Sequence, residues 1–201
     1  MTSSAESTGS RLSGDSMTTL ASRGQLRASV VRWALFTVPA CMLLGFLAGN
    51  LAQSGPENAW FAGLTKPTIF PPPMWFGIVW TILYAVMGFA LALVCAAWGA
   101  RGRTAAVAAF GLQFVVNLAW TPVFFGLHQM TVALGILVAL DVLVIVTIVL
   151  FWRVRRLAAL LLLPYLAWIL FATALNYEFL RLNPAADGAG ESRGAVQRIE
   201  I

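Results

Sequence analysis

Charge is scarce in this chain, and the residues that carry most acid–base and metal chemistry are scarcer still. There is one histidine and one lysine, there are two cysteines among 201 residues, and Asp and Glu together number eight. Cys41 and Cys95 lie inside separate apolar runs. Neither a disulfide framework nor a Cys/His zinc site follows from them. The acids form no cluster that would divide general-acid from general-base work, and no nucleophile is paired with a base. No glycine-rich loop stands where it would cradle a phosphate. A basic groove with interleaved aromatics is missing too, which argues against nucleic acid despite the net charge of +5. No internal inverted repeat of the kind secondary transporters use is visible. The expectation is a protein with no catalytic residues, no metal and no resident cofactor.

What is present is apolar length. Hydrophobic residues make up 60% of the chain and charged ones 10%, against about 25% charged in soluble domains. Such a surface suits lipid and not water. Five apolar runs are long enough to cross a bilayer, which takes about 20 helical residues. They read as spans over 29–51, 74–98, 104–125, 131–152 and 157–181. The predicted fold class is therefore an all-α membrane protein: a five-transmembrane-helix bundle with an ordered loop capping one end.

Residues 1–27 are rich in Ser, Thr and Gly, show no apolar period and read as a disordered N-terminal tail, with Met17 as a second candidate start. The spanning domain takes 28–183, and 184–201 read as a flexible C-terminal tail. Pro39 predicts a bend in the first span. Gly45 and Gly49 make a GxxxG element, which permits close helix approach either inside the bundle or in a dimer. A connection of about twenty residues follows, long for a compact bundle. Its Trp60, Phe61, Leu64, Ile69 and Phe70, stiffened by Pro67, Pro71, Pro72 and Pro73, read as an ordered cap. The alternative is an interfacial anchor with no ligand role. His128 reads as an interfacial residue. Asp141, near the middle of the fourth span, reads as a functional group or as an inward residue bonded to a neighbouring helix.

Nine of the thirteen Lys and Arg residues fall on the side of the N-terminal tail and the turns at 101–103 and 153–156; four fall on the cap side. The positive-inside bias then places this multi-pass chain in the cell membrane with its N-terminus cytoplasmic and its cap outside. Arginines at span ends also suit anionic lipid head groups.

The last span is the most informative. Residues 163–183 read LPYLAWILFATALNYEFLRLN, and Tyr165, Trp168, Ala172 and Asn176 share one narrow helical stripe. A buried amide needs a partner, so the stripe should face helices or a cavity. Gln113, Asn117, Trp120 and Phe124 make a second aromatic–amide stripe; Trp80, Tyr84 and Met87 share a face of the second span. Together, Trp80, Tyr84, Asn117, Trp120, Trp168 and Asn176 would line one chamber suited to a large flat amphipath. Ordinary core packing is the alternative for each stripe alone. The opposite face of the third span carries Ala108, Gly111, Val115 and Ala119, small residues suited to contact with another helix or a second copy.

These residues also carry a resemblance. The matching stretches are Trp60-Phe61 through Leu64 to Lys66-Pro67 and Pro71-Pro72; Trp80 with Leu83-Tyr84; Asn117 to Trp120, Pro122 and Phe124-Phe125-Gly126; and Pro164-Tyr165, Trp168, Phe171-Ala172-Thr173 and Leu175-Asn176-Tyr177. In order and spacing the chain resembles the TspO/MBR family, known as translocator proteins, tryptophan-rich sensory proteins or peripheral-type benzodiazepine receptors. The resemblance implies five transmembrane helices, commonly a homodimer, and a pocket beneath the first loop. The implied ligands are porphyrins such as protoporphyrin IX or haem-like molecules, sterols, and synthetic benzodiazepine-type compounds. Pocket positions it carries over are Trp80, Tyr84, Asn117, Trp120, Trp168, Ala172 and Thr173, with Trp60, Phe61, Ile69 and Phe70 in the cap above. Leu175, Tyr177 and Arg181 match a sterol motif.

One position departs from the family's KPxWxPP pattern. The run here is Lys66-Pro67-Thr68-Ile69-Phe70-Pro71-Pro72, with Ile69 at the tryptophan position. Family members that degrade porphyrin in light are thought to use that tryptophan, and isoleucine has no oxidisable ring. The expected activity is thus a membrane binding protein for tetrapyrrole-like amphipaths, acting as sensor, scavenger or transfer protein. The alternatives are a light- and oxygen-dependent porphyrin-degrading enzyme and a membrane subunit acting only through protein partners.

Overall fold

The computed structural model describes residues 23–189. The expected tails over 1–27 and 184–201, and Met17, lie largely outside them. Five helices are long and apolar enough to span a membrane, and the described residues form no strand. In lipid this is the required outcome, because a helix satisfies its own backbone polar groups.

The first span is α1 (Arg23–Leu51), followed by a short α2 (Ala59–Gly63) in the cap. The second is α3 (Met74–Cys95), and the third is α4 (Arg103–Thr121), continued by a π-helical turn over Pro122–Gly126. The fourth is α5 (Met130–Val154). The fifth is divided into α6 (Arg156–Leu161) and α7 (Leu163–Leu182). Around the bundle, α1 packs on α3, α3 on α6 and α7, these on α5, α5 on α4, and α4 back on α1 and α3. The sequence-derived span boundaries agree within a few residues except at α1, whose helix begins at Arg23.

Local chemistry sets the helix ends. Three consecutive prolines end at Pro73, the residue before α3. Proline is well tolerated at a helix start, where its missing N–H costs no hydrogen bond. Pro164 likewise opens α7, next to the break at Leu162 that separates it from α6. Pro122 opens the π-helical turn, in which the Leu127 amide donates to the Pro122 carbonyl at 2.9 Å. Such wide turns recur where a helix must re-aim side chains. Pro39, by contrast, sits inside an uninterrupted α1.

α1 and α3 approach closely at two glycines. A Cβ added at Gly88 would lie 2.6 Å from Val38 Cα and 2.8 Å from the Thr37 carbonyl oxygen. The Thr37 hydroxyl donates to the Gly88 carbonyl at 2.7 Å, in a buried position. Higher in the same interface, a Cβ at Gly45 would lie 2.1 Å from the Tyr84 ring. The GxxxG element of α1 thus serves a contact within the bundle at Gly45. Lipid tails are as apolar as the side chains they would replace, so close packing of this kind is what associates the helices.

Gly88→Val should therefore cost at least about 1–3 kcal/mol, the usual penalty for overpacking. Gly135, exposed on α5 and with nothing within 4 Å of an added Cβ, provides the control. Thermal unfolding in neutral detergent should show a lowered midpoint for Gly88→Val and little change for Gly135→Val. Equal midpoints for Gly88→Val and the unaltered protein would contradict the packing described.

Candidate functional site

A cavity of about 1090 Å³ lies in the capped half of the bundle. Its walls come from α1, α3, α4 and α7 with Leu137 of α5, and its roof from the cap and the π-helical turn. Of the site residues expected from sequence, Trp80, Tyr84, Asn117, Trp120, Trp168, Ala172 and Asn176 all line it. Phe61 and Phe70 of the cap line it as well.

The rings are held in defined orientations. Trp80 stacks on Tyr84 with centroids 5.1 Å apart, and Trp120 stacks on Phe124 at the same separation. Trp168 meets Phe76 edge-on at 5.8 Å. Amides anchor the polar ends of two of these rings, Tyr84 and Trp120. The Tyr84 hydroxyl donates to Asn117 Oδ1 at 3.1 Å, joining α3 to α4. Trp120 Nε1 donates to Asn176 Oδ1 at 3.3 Å, and Asn176 Nδ2 donates to the Met130 carbonyl at 3.0 Å. One buried amide thereby ties α4, α7 and the start of α5. Trp80, Tyr84, Trp120 and Trp168 nonetheless remain half-buried, leaving ring surface free toward the cavity.

Two expected site residues are placed elsewhere. Tyr165 is fully buried behind the wall, where its hydroxyl donates to Gln113 Oε1 at 2.9 Å and its ring meets Trp80 edge-on at 6.5 Å. Thr173 turns toward α5 and donates to Asp141 Oδ2 at 2.9 Å and to the Ile169 carbonyl at 3.0 Å. Asp141 is accordingly bonded to a neighbouring helix. Of the sterol-motif residues, Tyr177 and Arg181 lie one turn apart on the outer face of α7, and Leu175 lies on another face. Leu175 lines the cavity, Tyr177 is exposed, and Arg181 pairs with Glu178 at 2.8 Å on the surface.

The cap is an ordered structure. Asn58 caps α2 by accepting from the Phe61 amide at 3.0 Å, and its Nδ2 donates to the Phe125 carbonyl at 3.2 Å. Phe61 is buried against Phe70, Phe125 and Phe179, with centroids 5.1–5.9 Å away. Lys66 reaches back over the Phe61 ring and donates to the Phe61, Ala62 and Leu64 carbonyls. Partial burial there lowers its pKa from the usual lysine value. Ile69 is 45% exposed and does not line the cavity. Trp60 lies outside as well, stacked on His128 at 4.6 Å.

Sequence reasoning missed how the cap is fastened. Residues just beyond α7, expected to be tail, form a 3-10 turn over Pro184–Ala186 that docks on the cap. Thr65 and Asn183 exchange two hydrogen bonds of 2.7 and 3.0 Å, Trp60 Nε1 donates to the Ala186 carbonyl at 3.2 Å, and Asp187 accepts from Thr131. Short polar residues with no periodicity give no signal of such contacts in one sequence. Phe76 and Phe179 were also missed, although Phe76 lies one turn from Trp80 and Phe179 one turn from Asn176, which is a readable signal.

The cavity is not sealed. It extends between α1 and α3 to Leu43, Phe46 and Asn50, all exposed, and to Gln53, Ser54 and Glu57 at the edge of the cap. No Lys, Arg or His lines it; Glu57 is its one charged residue. The described residues contain no group of His, Cys, Asp and Glu able to hold a metal ion.

Fold and cavity define a multi-pass membrane protein with an aromatic chamber under a fastened cap. Comparison with known sequences places it further: the TspO/MBR family pattern matches residues 37–182. The chain belongs to the TspO/MBR family. It is 39% identical to the tryptophan-rich protein TspO of Chlorobaculum tepidum over 145 residues, covering 72% of this chain and 91% of that one. It is 42% identical to the human translocator protein over 145 residues, covering 70% and 84%. Protein CrtK of Rhodobacter capsulatus is 39% identical over 157 residues, covering 78% and 95%.

Asn176→Leu should leave the Trp120 indole N–H and the Met130 carbonyl without their partner, at a cost of about 1–3 kcal/mol. Thr173→Val breaks a bond behind the chamber wall. Tryptophan emission should shift for Asn176→Leu and stay in place for Thr173→Val. An unshifted Asn176→Leu spectrum would mean that the amide does not orient the indole.

Proposed function

We propose that the chamber binds porphyrin-type and other flat amphipathic molecules, and that the protein acts as a membrane sensor, scavenger or transfer protein for them. One observation carries the reading: the cavity is walled by half-buried indole and phenol rings, two of which, Tyr84 and Trp120, are held by buried amides. Its volume of about 1090 Å³ lies just above the usual range of ligand sites, about 300–1,000 Å³. Rings stacking on a flat ligand contribute area and orientation together. The gap between α1 and α3 gives a route from the bilayer. With no cation on the lining, a porphyrin's propionates are better accommodated at the polar mouth than inside, and Glu57 opposes them there.

Turnover of bound porphyrin in light is the competing reading. Ile69 stands at the family's loop-tryptophan position, does not line the cavity and has no oxidisable ring. We therefore favour binding without efficient photodegradation. The test is quenching of tryptophan emission by protoporphyrin IX, followed by illumination of the complex. Trp168→Phe and Asn117→Leu should weaken binding several-fold, on the order of 1 kcal/mol for a lost ring or amide contact. Glu57→Gln should tighten it. The porphyrin absorbance should persist in light. Unchanged titrations in both wall variants would remove the chamber as the site, and rapid bleaching dependent on Trp168 would establish the enzyme.

The same reading places the chain in the cell membrane with its N-terminus and basic turns cytoplasmic, and pairs it as a homodimer. Support for the pairing is the outward small-residue face of α4: Ala108, Gly111 and Val115 are exposed. Cysteine crosslinking at Ala108 in vesicles should trap a dimer. A monomer at every oxidant level would count against this interface.

A further inference from the structure

A second concavity lies at the opposite, basic end of the bundle, far from the chamber. It is a cleft of about 430 Å³ between the start of α1, the turn after α3, and the junction of α5 with α6. Gln25, Ser29 and Arg32 line it from α1, Trp98 from the turn, and Arg155 from the junction. We propose that this cleft is a binding site for the phosphate of an anionic glycerophospholipid.

Three observations converge. First, the two arginines come from elements distant in sequence and meet at one concavity. Arg155 is the extended residue, φ −152° and ψ 104°, that breaks the path from α5 to α6. Second, the charge there is not neutralised within the described fold. The described acids are Glu57, Asp141, Glu178 and Asp187. Asp141 is in mid-span, Asp187 and Glu57 are at the capped end, and Glu178 pairs with Arg181. Among the described residues, Arg32 and Arg155 form no ion pair. Guanidinium forks match phosphate oxygens in a bidentate way, which a point charge does not. Third, the wall is fixed and sits at the right depth. The Arg103 guanidinium lies 4.4 Å from the Trp98 ring centroid and its Nε donates to the Cys95 carbonyl at 3.1 Å. Tryptophan at a span end marks head-group level. Leu35 and Phe36, about one turn deeper on α1, are 72% and 70% exposed, giving acyl chains an apolar surface below the head group. Basic pockets between spans are the usual receptors of anionic head groups.

The test uses the full chain in neutral detergent, with native mass spectrometry reading retained lipid. Phosphatidylglycerol and phosphatidylcholine of equal chain length are titrated separately. One phosphatidylglycerol should be retained in preference to phosphatidylcholine. Arg32→Gln with Arg155→Gln should lower that retention at least about tenfold. Arg101→Gln with Arg153→Gln removes the same charge from the same end outside the cleft and should change retention little. Inorganic phosphate at matched ionic strength should not displace the lipid. Equal losses in the two double variants would reduce the effect to diffuse charge and overturn the site. Equal retention of the two lipids, or displacement by inorganic phosphate, would overturn it as well.

Discussion

The bond from Trp120 to Asn176, continued from Asn176 to the Met130 carbonyl, is the contact on which the chamber depends. Helix-to-helix hydrogen bonds in membranes contribute only about 0.6 kcal/mol on average, so these do not hold the bundle together. Their effect is geometric. Tyr84 and Trp120 each spend their one polar atom on a neighbouring amide, which fixes the ring while leaving it half-buried beside the cavity. Asn117 does for Tyr84 what Asn176 does for Trp120. A hollow persists because the walls are oriented by polar contacts that the apolar interior makes specific.

Packing supplies the cohesion that those bonds lack. α1 and α3 touch backbone to backbone at Gly88 and backbone to ring at Gly45. That contact closes the basic half of the groove between them and seats Tyr84. Toward the cap the same two helices part, and the cavity reaches their outer surface. The cap is fastened at separate points to the π-helical turn, to α7 and to the segment beyond α7. The roof is therefore tied to the same helices that carry the rings.

Much of this was legible in the sequence, for physical reasons that differ by element. The five spans follow from apolar length, which lipid imposes. The chamber walls follow from amides at helical spacing, which lipid forbids unless they face inward; Trp80, Tyr84, Asn117, Trp120, Trp168, Ala172 and Asn176 all line the cavity. On α7, Tyr165 shares the stripe but lies one turn beyond Trp168 toward the basic end, while Thr173 lies one step around the helix; a helical wheel cannot say where a wall ends. Each instead found a polar partner behind the wall, Gln113 and Asp141. Ile69 lies in the cap loop but is 45% exposed and does not line the cavity. The latch from Asn183 to Asp187 pairs residues more than fifty positions apart through single polar contacts, and no periodicity announces such contacts.

Fluorine NMR on protein carrying 5-fluorotryptophan, titrated with protoporphyrin IX in lipid nanodiscs, tests the central claim most directly. Trp80, Trp120 and Trp168 line the cavity, while Trp75, Trp98 and Trp152 are exposed on the outer surface. The expected result is ring-current shifts at the first three, saturating together, with the outer three unmoved. Shifts confined to the outer tryptophans, or saturable binding that moves none of the chamber resonances, would contradict it.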